Sequence, residues 1–293
     1  MNENIRNNPE LEINNVCNYL NNIISSSINE SNIVVKNKHK FIYDNYFGKN
    51  IEKKSDIKYN NINFEDITIV LCLKNRPKRF QLYYNLNNFF FKKYNVKLIV
   101  VEGKSDNMID TTLLKKDSHI THHVVDIKNV WSRAVLLNFG VDKSTTETII
   151  LSDIDFIYTI SFWDNLLNGL NYINLNKSFV GLPLYESEKT FNGNSLIRDK
   201  YTPYSACYVI NKNVFVQCGG FNTKMIGFGW EERELQKRLK KNGVDTIYTN
   251  LIQPNCYVIH YSHNEKLRGP PNRNNQKLLY NSNNKKIEFK VNL

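Results

Sequence analysis

The sequence predicts an α/β fold, a mixed and mostly parallel sheet flanked by helices, in a single main domain with an N-terminal helical extension. Three stretches predict it. Ile67-Thr68-Ile69-Val70-Leu71-Cys72-Leu73 is a continuous apolar run, as found in strands buried on both faces. Val96-Lys97-Leu98-Ile99-Val100-Val101 is a second. The residues between them carry Phe80, Leu82, Leu86 and Phe89 at helical spacing, so strand, helix and strand form a right-handed crossover. Thr148-Ile149-Ile150-Leu151-Ser152 is a third apolar run, and it leads into Asp153-Ile154-Asp155.

The remaining elements follow in order. Residues 1–65 read as a preamble, in which Ile13, Val16, Cys17, Leu20, Ile23 and Ile24 recur as on an amphipathic helix. Residues 66–265 form the main domain. A helix is expected over Trp131 to Val141, ahead of the acidic strand, and another over Phe162 to Leu170. Short strands are expected at Phe179–Leu182, Tyr204–Ile210, Thr246–Tyr248 and Cys256–Ile259. Gly219-Gly220-Phe221-Asn222 reads as a turn. After Gly227-Phe228-Gly229-Trp230, Leu235 and Leu239 fall four apart, as on a helix beginning near Glu231. Residues 266–293, with Lys266, Arg268, Gly269, Pro270, Pro271 and Arg273, read as a basic loop or tail.

Composition narrows the partners. The chain has 293 residues, 39 Lys and Arg against 28 Asp and Glu, and a formal net charge of +11. That surplus favours an anionic partner: a nucleotide, a nucleic acid, an acidic glycan or a membrane surface. No apolar run of about 18 residues is present, so no transmembrane helix is expected. The first ten residues lack a signal-peptide core. The five cysteines are scattered, with no Cys-x-x-Cys pair. Reduced thiols and a cytoplasmic location are the resulting expectation.

The chemistry sits at the ends of strands. Ligands of open α/β sheets bind beyond the carboxyl ends of the strands, which puts Arg76, Glu102 and Asp153 on one rim. Asp153 and Asp155, two residues apart on a strand, would face one cleft. Two carboxylates there are costly without a cation, and Mn²⁺ or Mg²⁺ suits oxygen ligands. Two solvated acids after a strand are the simpler reading of an isolated Asp-x-Asp. Glu231 and Glu232 lie near a helix N-terminus, where the dipole favours the ionised acid. An ionised acid beside a Gly/aromatic loop is a candidate general base. Acids that merely complement the dipole are the alternative. His260 ends a strand with His263 close behind, either as metal ligand or as an ordinary hydrogen-bonded side chain.

Taken together and in order, these segments resemble a GT-A-fold glycosyltransferase, and are similar to the β-1,4-galactosyltransferases and the family-2 and chondroitin-polymerase-type enzymes. Leu73-Lys74-Asn75-Arg76, Trp131 to Gly140, Leu151 to Asp155, Gly219-Gly220-Phe221 and Gly227 to Glu232 carry the likeness, over residues 67–263. The resemblance implies an inverting, metal-dependent transfer of a sugar from a UDP-sugar donor to a glycan or other acceptor. It puts Leu73, Arg76, Glu102, Arg133, Asn138 and Asp153 on the nucleotide-donor side. It implies Asp155 as ligand of Mn²⁺ (or Mg²⁺), completed by His260 or its rival His263. It implies Phe228, Gly229 and Trp230 at the acceptor, Glu232 as base and Glu231 as the acid that orients the acceptor. Lys74, Phe228, Glu232 and Arg233 depart from the commoner residues of that family, which leaves the donor sugar and the acceptor open.

Three rival classes remain in view. A basic nucleic-acid-binding protein suits the charge, yet the aromatic residues are not interleaved with Lys or Arg as in an RNA motif. Specific nucleic acid is therefore not an expected partner. A metal-dependent phosphohydrolase could use the Asp pair but has no need of the Gly-Phe-Gly-Trp-Glu-Glu loop. A non-catalytic relic of the fold would bind nucleotide sugar or glycan without turnover.

Overall fold

The computed structural model describes residues 58–114, 117–127, 130–158, 160–182, 184–187, 197–202, 207–248, 258–260, 272–281 and 287–289. The helix expected within residues 13–24, most of the 1–65 extension, and His263 lie outside the described residues. In chain order the elements are β1 (Ile67–Leu73), α1 (Pro77–Lys93), β2 (Lys97–Gly103), β3 (Ile120–Val125), α2 (Arg133–Lys143), β4 (Thr148–Ser152), β5 (Phe156–Tyr158) and α3 (Ile160–Leu170). They continue with β6 (Ser178–Gly181), β7 (Leu184–Ser187), β8 (Ile197–Thr202), β9 (Tyr208–Asn211), α4 (Lys212–Gln217), α5 (Glu231–Lys241), β10 (Asp245–Tyr248), β11 (Val258–His260) and α6 (Arg273–Asn281).

The expected sheet is present. Seven strands run in the order β10-β6-β9-β4-β1-β2-β3. β1 pairs in parallel with both β2 and β4, and β2 with β3. β9 is antiparallel to β4 and β6, which makes the sheet mixed. Of a second sheet, β5-β11-β7-β8, the sequence showed only β11, within the strand expected at Cys256–Ile259.

β1 shows why the sheet must be covered twice. Ile67, Ile69, Leu71 and Leu73 enter one core with Phe80, Phe91, Phe162 and Trp163. Val70 and Cys72 enter the other with Leu136, Leu137, Leu235 and Leu239. This is the period-two alternation of a strand with helices on both sides. Gly140 of α2 lies so close to β1 that a Cβ there would stand 2.3 Å from Val70 Cγ1. Glycine lets the helix reach the sheet.

Two expectations change. The buried stripe of α1 is Phe80, Tyr83, Asn87, Phe90 and Phe91, and Phe89 is 67% exposed. Asn87 belongs to that stripe because its amide is used: Nδ2 donates to Phe156 O and Oδ1 accepts from Tyr158 N, both at 2.9 Å. An apolar count along the helix could not register it. The second change is at the C-terminus. The segment read as a loop or tail contains α6, which packs on α5. Beyond it, Ile287 and Phe289 press on Gly219 and Gly220. Both glycines have positive φ, 84° and 61°, and a Cβ at Gly219 would meet Ile287 O at 2.1 Å. Basic composition hid a helix that Asn272 and Asn275 tie to the loop before α5.

Candidate active site

The carboxyl ends of β1, β2 and β4 lie on one edge, since the three strands run parallel and side by side. Leu73 and Glu102 are register partners at that edge. The acidic pair follows β4 directly, but in a turn. β4 stops at Ser152 and β5 begins at Phe156, so Asp153 and Asp155 do not share a strand face as the period-two reading required. They go to different arginines. Asp153 Oδ1 accepts from Arg133 Nε at 2.9 Å. Asp155 Oδ1 lies 2.5 Å from Arg79 Nε, with Arg76 Nη1 3.9 Å from Oδ2. Asp155 is 7% exposed, a burial tolerable for a carboxylate only with such partners.

Arg133 is the first residue of α2, set there by the Ser132 cap, whose hydroxyl accepts from Val135 N. Its Nη1 donates to Glu232 Oε1 at 2.7 Å while Nε holds Asp153. The guanidinium fork thus joins the turn after β4 to the start of α5. Burial works against its charge, but Asp153, Glu232, Cys72 and Glu231 together hold it protonated well above its ordinary range.

The loop before α5 is shaped by backbone only glycine adopts easily. Gly227, Gly229 and even Trp230 have positive φ, 80°, 100° and 77°. Ser132 and Gly227 form an isolated parallel bridge, with Gly227 N donating to Trp131 O at 2.8 Å. From the far side α6 holds the same loop. Buried Asn275 accepts from Ile226 N at 3.1 Å and donates to Ile226 O and Gly229 O at 3.1 and 3.0 Å. Asn272 N donates to Phe228 O at 2.8 Å. Phe228, Gly229 and Trp230 remain half-buried, and Arg233 lies over the Trp230 ring at 5.0 Å.

Glu231 and Glu232 follow as the first turn of α5. Glu231 is buried, and burial, then the Glu232 charge, push its carboxyl up to about 7 against the pull of Arg133. Glu232 is more open, with 20% of its side chain exposed. Below them Arg238 pairs with Glu234 at 2.6 Å and donates to Cys218 O and Gly220 O. That ties α5 to the Gly219-Gly220 turn.

Leu73, Glu102 and Asn138 are held by contacts within the fold. Leu73 is buried in the core. Glu102 is fully buried and accepts from Ile109 N at 3.0 Å, with His122 Nε2 at 3.1 Å. Asn138 is fully buried, donating to Phe221 O and accepting from Phe221 N, each at 2.9 Å. Arg76 keeps a half-exposed side chain. His260 ends β11, whose register sets it opposite Phe156, the residue after Asp155. Its ring stands edge-on to Phe156 at 5.7 Å. Arg79 and Asn275 were not singled out by sequence. Arg79 had one available signal, a basic first turn of α1 without any acid, where a helix dipole disfavours cations.

Residues 190–264 match the family model described as the N-terminal domain of galactosyltransferase. That segment includes the Gly219-Gly220 turn, the loop, Glu231, Glu232 and His260. No curated protein is a significant match. Similar solved structures include the catalytic domain of Drosophila beta1,4galactosyltransferase 7 in complex with xylobiose, at 16% identity over 75% of this chain and 82% of that one, TM-score 0.48. A mutant of the same Drosophila enzyme, in complex with manganese, UDP-Gal and xylobiose, has 15% identity over the same shares and the same TM-score. Mannosyltransferase PcManGT from Pyrobaculum calidifontis, in complex with GDP-Man and Mn²⁺, has 14% identity over 70% of this chain and 60% of that one, TM-score 0.47.

Three features stand together in this chain: a mixed α/β sheet, an Asp-x-Asp turn after its β4 strand, and a segment similar to the galactosyltransferase model that carries the acidic loop. The family likeness is confined to residues 190–264.

Proposed function

We propose that the chain is an inverting, metal-dependent glycosyltransferase that moves a sugar from a UDP-sugar to a hydroxyl of a glycan or other acceptor. The observation that carries this reading is the Arg133 fork, which joins Asp153 of the rim turn to Glu232 of the acidic loop. A donor-side acid and a candidate base then lie on either side of one guanidinium. In this reading Arg76 and Arg133 face the diphosphate and Asp153 the donor sugar. Phe228, Gly229 and Trp230 border the acceptor.

Glu232 removes the proton from an acceptor hydroxyl. The freed oxygen forms a bond to the anomeric carbon from the face opposite the diphosphate. The bond from that carbon to the diphosphate breaks, and UDP leaves with its electron pair. General-base help of this kind is typically worth about 10²–10⁴-fold. Glu231, more deeply buried, orients the acceptor.

Among the described residues no group of three or more His, Cys, Asp or Glu is gathered that could hold a metal ion. Asp155 and His260 are the described residues that would hold the ion. Buried Asp155 already has a positive stand-in, Arg79, at its carboxylate, and His260 ends the neighbouring strand. A two-donor site of this kind fits Mn²⁺ or Mg²⁺ when a diphosphate completes the shell, with His263 as the rival donor. When bound, the ion supplies Lewis-acid stabilisation of charge on the leaving diphosphate.

The test is a donor screen with Mn²⁺, reading nucleotide release from each nucleotide sugar with and without candidate acceptors. Acceptor-dependent release of UDP supports the proposal. Binding of UDP with no release from any donor identifies a non-catalytic relic. Tight, sequence-specific binding of nucleic acid at physiological salt favours the nucleic-acid class instead.

A further inference from the structure

The geometry points to Arg79 and a divalent cation as alternative occupants of one seat at Asp155, so that Arg79 is the positioning residue that sets how tightly the ion binds. This rests on the donor-site reading given above. Asp155 is almost wholly buried and sits in a turn of three residues between two strands. Its charge would strain that turn if left bare. Arg79 answers it at 2.5 Å from Oδ1, while Arg76 stands off Oδ2 at 3.9 Å.

The placement of Arg79 has no helical reason. α1 begins at Pro77, and its first turn holds Lys78 and Arg79 with no acid. Cations there oppose the helix dipole. Asp155 is an acid that answers Arg79 there. The turn is also fixed independently, by Asn87 on both sides of Ile157 and by Tyr158 Oη donating to Ser152 Oγ at 2.7 Å. Asp155 thus keeps one position whether its partner is a guanidinium or an ion.

The two partners oppose each other. A divalent ion bound to Asp155 with Arg79 still in contact would gather at least three positive charges on one carboxylate, with a further guanidinium near. Arg79 must leave as the ion enters. The guanidinium balances the Asp155 charge beforehand, and displacing it weakens the ion's affinity.

The experiment measures binding of Mn²⁺ alone to the full chain, by calorimetry and by the paramagnetic signal of free Mn²⁺. Arg79→Gln should bind Mn²⁺ about tenfold or more tightly than the unsubstituted chain. Arg79→Lys should tighten it less, and Arg76→Gln should change it little. Asp155→Asn should abolish the gain when combined with Arg79→Gln. In thermal unfolding, Arg79→Gln should melt lower without the ion and recover more than the parent on adding Mn²⁺. A purely structural Arg79 would give no such selective recovery.

Equal or weaker Mn²⁺ binding in Arg79→Gln overturns the inference, as does absence of Mn²⁺ binding in both proteins. If Arg79→Gln folds only with Mn²⁺, the inference is supported; if it folds in neither condition, the Lys variant decides, and unchanged affinity there overturns it. Nucleotide release is read separately. Tighter Mn²⁺ binding without turnover of any donor leaves this inference standing and removes the proposed function; turnover with unchanged Mn²⁺ affinity does the reverse.

Discussion

Arg133 donates from Nη1 to Glu232 at 2.7 Å, joining residues 99 apart in the chain, while its Nε holds Asp153 at 2.9 Å. One buried cation thus neutralises an acid from the rim turn and an acid from the loop before α5. Removing it would strand both. Arg133→Gln should lower stability by about 3–5 kcal/mol, the usual cost of breaking a buried pair from one side. Arg133→Lys should recover part of this, since an ammonium cannot span two carboxylates as a planar fork does. Thermal unfolding of the three proteins checks it; a Gln variant as stable as the parent would show that the fork carries no structural charge balance.

Glu232→Gln keeps the side-chain shape and can still accept from Arg133. Nucleotide binding should survive, because its proposed contacts, Arg76, Arg133, Asp153 and Asp155, are all retained and Arg133 keeps an acceptor at position 232. Transfer to the acceptor should fall by about 10²-fold or more. Near-normal transfer would move the base elsewhere, with Glu231 the next candidate.

Glu231 supplies a pH signature. Burial, and then Glu232, raise its carboxyl from 4.5 to about 7. The folded chain therefore holds this proton more tightly than the unfolded chain. The stability it contributes is complete below about pH 4.5 and is lost as pH rises through about 7. Glu231→Gln mimics the protonated acid at every pH. The melting temperature of the variant relative to the parent should rise between about pH 5 and pH 8. A flat difference across that range would mean that Glu231 titrates as an ordinary acid.

Asn275 is the test of the C-terminal helix. Its buried amide makes three hydrogen bonds to the loop backbone at Ile226 and Gly229. Asn275→Ala should leave buried groups unpaired, at roughly 1–3 kcal/mol for each group so left. The loop that precedes Glu231 would then loosen. The acceptor KM should rise severalfold while the affinity for UDP stays the same. An equal loss in both would make α6 a general stabiliser with no particular hold on the acceptor side.

Residues 67–73, 96–101 and 148–152 announced the central sheet by themselves. A strand buried on both faces must be apolar throughout, and that constraint is local. The same locality placed Asp153, Asp155, Glu231 and Glu232 at the ends of elements, and it fixed the order in which the segments resemble a glycosyltransferase. It could not say which acid meets which cation. Strand periodicity put the two aspartates on one face, whereas the turn after Ser152 sends Asp153 to α2 and Asp155 to α1. Arg79, Asn87 and Asn275 carried no apolar signal, because their worth lies in partners 46 to 76 residues away. Side-chain periodicity records which face of an element is dry. Only the order of strands in the sheet, and the helices laid across it, decide which polar groups are buried together, and a buried charge must then find its partner among those neighbours.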